Sequence, residues 1–345
     1  MITSAGLKAA DFGGLINEDV MQQIFDISPI PLPLTDMIST SSVGNAYASW
    51  PIDKLQAVNI ANAVVDGSDT DTLDDGEIGT RVGNQAQISV KVVKTSTRAN
   101  ASDTIGIDQT LANQVMRRQK ELRRDVEAIM LTNQASVEDN GTSTAGKSAG
   151  LGAWLTSNIS RGVGGADGGF ANGIVAAPTP GAIRALDETT IRDIAQAIYV
   201  AGGNPSVGMS IPDCIRRISE YMLTPSARVA ILQSDTGQTL EAMRAKGAVN
   251  VFMMDFGVSI DLVANRLQQK TVAGTGCDLF LIDPQYLEQG ILDGYRTEPL
   301  AKTGLSEQRQ MAVDWMLKCL NEEAHGVIAD IDYTLPMIAE PVPPI

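Results

Sequence analysis

Residues 141–148 read GTSTAGKS and fit G-x-x-x-x-G-K-[ST], the spacing at which backbone amides, a lysine and a hydroxyl cradle nucleotide phosphates. A working cradle needs a buried strand feeding the loop and a helix leaving it, so that amides and helix dipole converge on phosphate. Here Val137, Glu138, Asp139 and Asn140 form a polar helix exit, and the following AGLGAW opens with two glycines, a poor helix start. Met254-Asp255 and Ile282-Asp283 end apolar runs in a carboxylate that could hold magnesium, but such runs are ordinary strand ends. The stretch therefore reads as a loop with Lys147 in water. Asp255-Phe256-Gly257 spells the kinase magnesium motif without an HRD loop or a glycine-rich ATP loop, so it reads as a hairpin turn. VVDGSDTDTLDDGEIG (64–79) carries six acids from Asp66 to Glu77 and invites a calcium reading. With Gly76 as position 6 of a calcium loop, Leu73 falls third and Val82 twelfth, which removes two ligands. No metal, cofactor or catalytic set is expected, since His325 is the single histidine and reads as a turn residue. Cys214, Cys277 and Cys319, far apart and without a CxxC, read as buried reduced thiols.

Arg117, Arg118, Lys120, Arg123 and Arg124 cluster, but Glu121, Asp125 and Glu127 sit among them and no aromatic side chain is interleaved to stack bases. The pattern favours a solvated, salt-bridged helix face, with i,i+4 pairs Arg117–Glu121 and Arg123–Glu127. Across 345 residues, 26 Lys and Arg against 41 Asp and Glu leave a net charge of −15, which argues against a phosphate-coating surface. No apolar run approaches the roughly 20 residues of a membrane span, and the N-terminus shows no secretory signal pattern.

The elements follow from periodicity. IFDISPIPLPLTDMI (24–38) places prolines at 29, 31 and 33, which predicts an extended segment that is neither helix nor central strand. Its apolar residues, Ile24, Phe25, Ile27, Ile30, Leu32 and Leu34, must be buried against something, such as another subunit. QAQISVKV (85–92) alternates as a strand, with Ala86, Ile88, Val90 and Val92 on one face and a wet opposite face, and its partner is expected near residues 45–55. Residues 103–135 carry one apolar stripe (Ile107, Leu111, Val115, Leu122, Val126, Ile129, Met130), predicting a helix of about 45 Å with Asp103 as N-cap. Residues 139–190 read as Gly/Ser/Ala-rich loops around AWLTSNI. A helix over 188–201 ends at Gly202, and a strand at 207–211 and a helix at 212–222 follow. A hairpin over 249–265, a strand at 278–283 and a long strand at 310–320 complete the list. In the last, Met311, Val313, Trp315, Leu317 and Cys319 share a face.

In this order, the chain resembles the Hong Kong 97-type major capsid protein of tailed bacteriophages. The resemblance rests jointly on IFDISPIPLPLTDMI, RVGNQAQIS, KELRRDVEAIMLTNQAS running into AGLGAWLTSNISRG, VFMMDFGVSIDLVANR, LIDPQYL and TEPLAKTGLSEQRQMAVDWMLKCLNEEAHGVIADI. The acid-rich insertion at 66–77, residues 224–245 and the proline-rich tail IAEPVPPI depart from it. It implies an α+β fold with an N-terminal arm (1–45), an extended loop (46–98), a peripheral domain (99–190 and 300–335), an axial domain (191–299) and a C-terminal tail (336–345). It also implies a non-enzymatic shell protein of the virion, assembled in the bacterial host cytoplasm. The expected partners are its own copies as hexamers and pentamers, portal, a separate scaffold protein, cement proteins, and DNA held without tight contacts. In the family the extended loop crosses a neighbour's spine helix. Asp69, Asp71, Asp74 and Asp75 are therefore expected to meet Arg117, Arg118, Lys120, Arg123 and Arg124 of an adjacent copy, with assembly weak at low salt and helped by cations. Two alternatives stay open: a P-loop enzyme, and a cellular nanocompartment shell of the same fold.

Overall fold

The computed structural model describes residues 31–67, 79–102, 110–222, 251–254, 256–270, 274–302 and 304–338. Ile24, Phe25, Ile27, Ile30, Asp103, Ile107 and Asp255 lie outside these residues, as does the acidic tip from residue 68 to 78.

Two sheets organise the chain. The first is four-stranded, in the order β1 (Ser39–Ser42), β12 (Leu287–Pro299), β13 (Ser306–Cys319) and β4 (Gln87–Ser96). Helix α3 (Thr110–Met130) packs on it and buries Leu122, Val126 and Met130 against Met311, Val313, Trp315, Leu317 and Cys319. These are the stripe and the strand face read from the sequence. At 21 residues α3 spans about 32 Å. It stops short of residue 135 because the chain there turns extended: the Ser136 amide donates to the Val175 carbonyl, and Val137 pairs with Lys147.

The second sheet runs β5 (Ile159–Ser160), β14 (Gly326–Asp332), β11 (Gly276–Ile282), β8 (Val207–Ser210), β10 (Ser259–Ala264) and β9 (Val251–Met253). Every residue of β11 is buried, because both faces are covered. Phe280 and Ile282 join the core under α3. Cys277, Leu279 and Leu281 join a second core under α5 (Glu188–Ala201) and α6 (Pro212–Met222). Asp187 caps α5, its carboxylate accepting from the Thr189 amide, and Gly202 at φ +101° ends it in the left-handed region. The hairpin β9–β10 turns at Gly257, where φ is +86°.

Three expectations are corrected. The proline-rich segment contains a helix, α1 (Pro33–Met37), because Pro33 sits in its first turn, where a missing amide donor costs nothing. It buries Leu34 and Ile38 on its own subunit, and β1 then pairs in parallel with β12. The strand QAQISVKV is not the partner of residues 45–55. That partner is β3 (Thr80–Gln85), antiparallel to β2 (Tyr47–Ile52), whereas β4 pairs with β13. Finally, β4 is turned over: Ile88, Val90 and Val92 point outward, 62%, 43% and 51% exposed. Register is set by β13, whose larger apolar face wins the helix side and carries Gln87, Ser89 and Lys91 of β4 inward with it.

Candidate functional site

The GTSTAGKS stretch is not a phosphate cradle. The Asn140 side-chain oxygen already accepts the amides of Thr142, Ser143 and Thr144 at 3.0, 2.9 and 2.9 Å, so it fills the concavity an anion would take. Ser148, in the position of the magnesium-binding hydroxyl, is fully buried. Its Oγ accepts from the Leu317 amide at 3.0 Å and from Asn84 Nδ2 at 3.2 Å. Lys147 is exposed, and the next helix, α4 (Leu151–Trp154), starts beyond the loop and is buried.

His325 is not a turn residue in water. It is fully buried, its Nδ1 accepts the Asp283 amide at 3.2 Å, and Nε2 faces the Tyr286 carbonyl at 3.5 Å. Burial pushes its pKa down to about 4. All three cysteines are buried and free, and burial raises the Cys319 thiol.

The surfaces that remain are those able to meet other molecules. Residues 53–67 leave the β2–β3 ribbon with every residue exposed, including Leu55 at 95%, Val58 at 90% and Ile60 at 95%. The root of this loop is fixed. Trp50 Nε1 donates to the Cys319 carbonyl at 3.1 Å, and its ring lies 5.7 Å from Trp154, which stacks on Phe170. Asn84, fully buried in β3, donates to the carbonyl of Leu317 and accepts the amide of Ala149. This polar stitch joins loop root, spine exit and β13. Its signal in the sequence is the alternation Val82–Asn84–Ala86, which puts Asn84 on the inward face.

Of the basic residues on α3, Arg117, Lys120 and Arg123 are exposed. Arg118 pairs with Glu121, in place of the expected Arg117–Glu121 pair. The guanidinium of Arg123 lies 5.1 Å over the Tyr295 ring, whose hydroxyl pKa is raised by burial. Arg124 is half-buried, and Lys91 of β4 pairs with Asp125 at 2.6 Å. The cluster is thus partly a solvated, salt-bridged face. Asp69, Asp71, Asp74 and Asp75 lie outside the described residues. Glu127, expected to pair with Arg123, is instead fully buried and accepts from the arm. The sequence signal was Met130 and Leu131, three and four residues on, which place it on the buried side.

The architecture recurs in solved structures. One from Microbacterium phage Oxtober96 superposes with a TM-score of 0.59 at 12% identity, covering 96% of this chain and 100% of that one. One from Mycobacterium phage Bobi gives 0.57 at 11%, covering 95% and 99%. The holo-SrpI encapsulin complex from Synechococcus elongatus PCC 7942 gives 0.54 at 10%, covering 96% and 98%. These likenesses define the class by its fold, the Hong Kong 97-like α+β fold. In sequence, the chain is 26% identical over 334 residues to the major capsid protein of Escherichia phage Phieco32, covering 88% of this chain and 90% of that protein. The model of the SU10 major capsid protein family matches residues 2–332, and the chain belongs to that family. Its function is that of a phage major capsid protein, a component of the virion capsid.

Proposed function

We propose that copies of this chain close, as hexamers and pentamers, into an icosahedral head that encloses double-stranded DNA. Assembly takes place in the host cytoplasm around a separate scaffold, with a portal at one vertex and without catalysis or cofactor. The observation that carries this reading is the loop at 53–67. Leu55, Val58 and Ile60 have no core of their own, and Ile88, Val90 and Val92 form a second apolar surface on β4. An arrangement of this kind gains its stability between copies, over obligate interfaces on the order of 2,000 Å² or more. The charge pattern supports a contact in which Asp69, Asp71, Asp74 and Asp75 meet the basic residues of a neighbour's spine, with Arg117, Lys120 and Arg123 exposed to receive them. The net charge of −15 supports a container that repels its nucleic-acid cargo and does not grip it. A cargo-protein compartment is the second reading, favoured by the encapsulin likeness in fold alone.

Negative-stain electron microscopy of the full chain, purified alone and after expression beside the other head proteins of its phage, tests this. Closed shells are expected from the wild type and none from a variant with Leu55, Val58 and Ile60 changed to Ser. Changing Asp69, Asp71, Asp74 and Asp75 to Asn is expected to lower assembly yield and its response to salt. A compact monomer at every concentration and ionic strength overturns the reading, and unchanged salt response in the Asn variant removes the charge contact from it.

A further inference from the structure

One buried carboxylate joins three separate parts of the molecule. Glu127, in the second half of α3, is fully buried. Its Oε1 accepts the Leu34 amide at 2.8 Å and Asn265 Nδ2 at 2.7 Å. Its Oε2 accepts the Thr35 amide at 2.8 Å and the Thr35 hydroxyl at 2.5 Å. All four donors are neutral groups. Three belong to the first turn of α1 in the arm, 92 or 93 residues upstream in the chain. The fourth belongs to the six-stranded sheet, just past β10, where Asn265 is itself fixed: its amide donates to the Ser210 carbonyl, and its side-chain oxygen accepts from the Leu267 amide. Beyond α1 the arm continues as the edge strand β1, where Ser41 Oγ accepts from Lys318 Nζ at 2.8 Å.

We propose that Glu127 is a positioning residue that ties the N-terminal arm to the six-stranded sheet through the spine helix. The first turn of α1 is then held to Glu127 only while helix and sheet keep this placement, so that movement of the sheet loosens this turn, whereas β1 stays paired with β12. The reason is the shared acceptor. A carboxylate satisfied on both oxygens from two sides loses the orientation that serves one side when the other withdraws, and leaving buried donors unpaired is costly. The latch supplies what a shell subunit needs if its arm is to report the state of its body, so its biological meaning rests on the shell reading, whereas the coupling itself does not.

Hydrogen exchange on the unassembled full chain tests the coupling. Asn265→Ala is expected to speed exchange of the peptide containing Leu34–Ile38 about 10-fold, and Thr35→Val to speed exchange at residues 259–267 by a similar factor. Glu127→Gln keeps the shape but turns its NH₂ group either against the Leu34 and Asn265 donors or against the Thr35 amide, where the Thr35 hydroxyl can rotate to accept, and is expected to free the first turn of α1 by at least about 10-fold. If each single-site variant loosens only its own element, the coupling is refuted. Should Glu127→Gln fail to fold, the other two variants decide alone. Electron microscopy of the same wild-type protein, taken on into the assembly conditions used above, reads the second level: no shells there sinks the shell reading and leaves the exchange result standing.

Discussion

Lowering the pH from 7 to 5 is expected to destabilise this fold by about 2 kcal/mol through His325 alone. Because Nδ1 accepts the Asp283 amide, the ring is neutral, with its hydrogen on Nε2 toward Tyr286. A second proton would place N–H against N–H and bury an unpaired charge, which is why burial holds the pKa at about 4 against an ordinary 6.5. Between these values the unfolded chain binds a proton that the folded chain refuses. Stability therefore falls as pH drops below 6.5 and levels off below 4. The loss is negligible at pH 7, about 2 kcal/mol at pH 5 and about 3 kcal/mol in full. Asp278, whose carboxyl is raised by desolvation, works in the opposite direction, so the test is a difference. Urea midpoints of the unassembled wild type and of His325→Asn, compared at pH 7, 6 and 5, give it. The asparagine oxygen can still take the Asp283 amide, and the variant has no proton to gain. The wild type is expected to lose about 2 kcal/mol more than the variant between pH 7 and pH 5. Parallel pH profiles refute the argument.

Three further outcomes are expected. Asn84→Ala strands the Leu317 carbonyl and the Ala149 amide in a fully buried site and is expected to cost about 3 kcal/mol in urea unfolding. Lys147→Ala is expected to change neither stability, within about 0.5 kcal/mol, nor a null ATP-hydrolysis assay. Asn140→Ala, which removes the acceptor of three amides, is expected to cost about 1 kcal/mol and expose residues 141–144 to proteolysis.

What the sequence disclosed depended on where the deciding force was local. Helix α5 was legible because its apolar stripe lies within it and Gly202 directly follows its last residue. The face of β13 was legible because five alternating apolar residues leave one choice. The orientation of β4 was not legible, since its own alternation points the other way and only the pairing with β13 overrules it. Long β12 escaped notice because its outer half, Tyr295 to Pro299, is polar and exposed, with bulges between Ile291 and Arg296. The buried roles of Glu127, Asn84 and His325 depend on partners 39 to 233 residues away, a relation that no spacing rule reads. The GTSTAGKS loop shows the converse: its motif was visible, but the neighbours read against it were misjudged, since α4 begins at Leu151 and Val137 pairs with Lys147, and it is the Asn140 acceptor and the buried Ser148 that set the motif aside.

The order in which the strands leave the ribosome has a consequence. Among the described residues, strand β13 links β4 to β12, and β14 links β5 to β11. Both belong to the stretch from Ser306 to Asp332, which follows every other described strand of the two sheets in the chain. Neither sheet can close on a nascent chain, however long the ribosome has been at work, until this stretch has emerged. A product cut short before Ser306 lacks both strands, so a subunit that reaches polymerisation with its two sheets complete has been translated through Asp332.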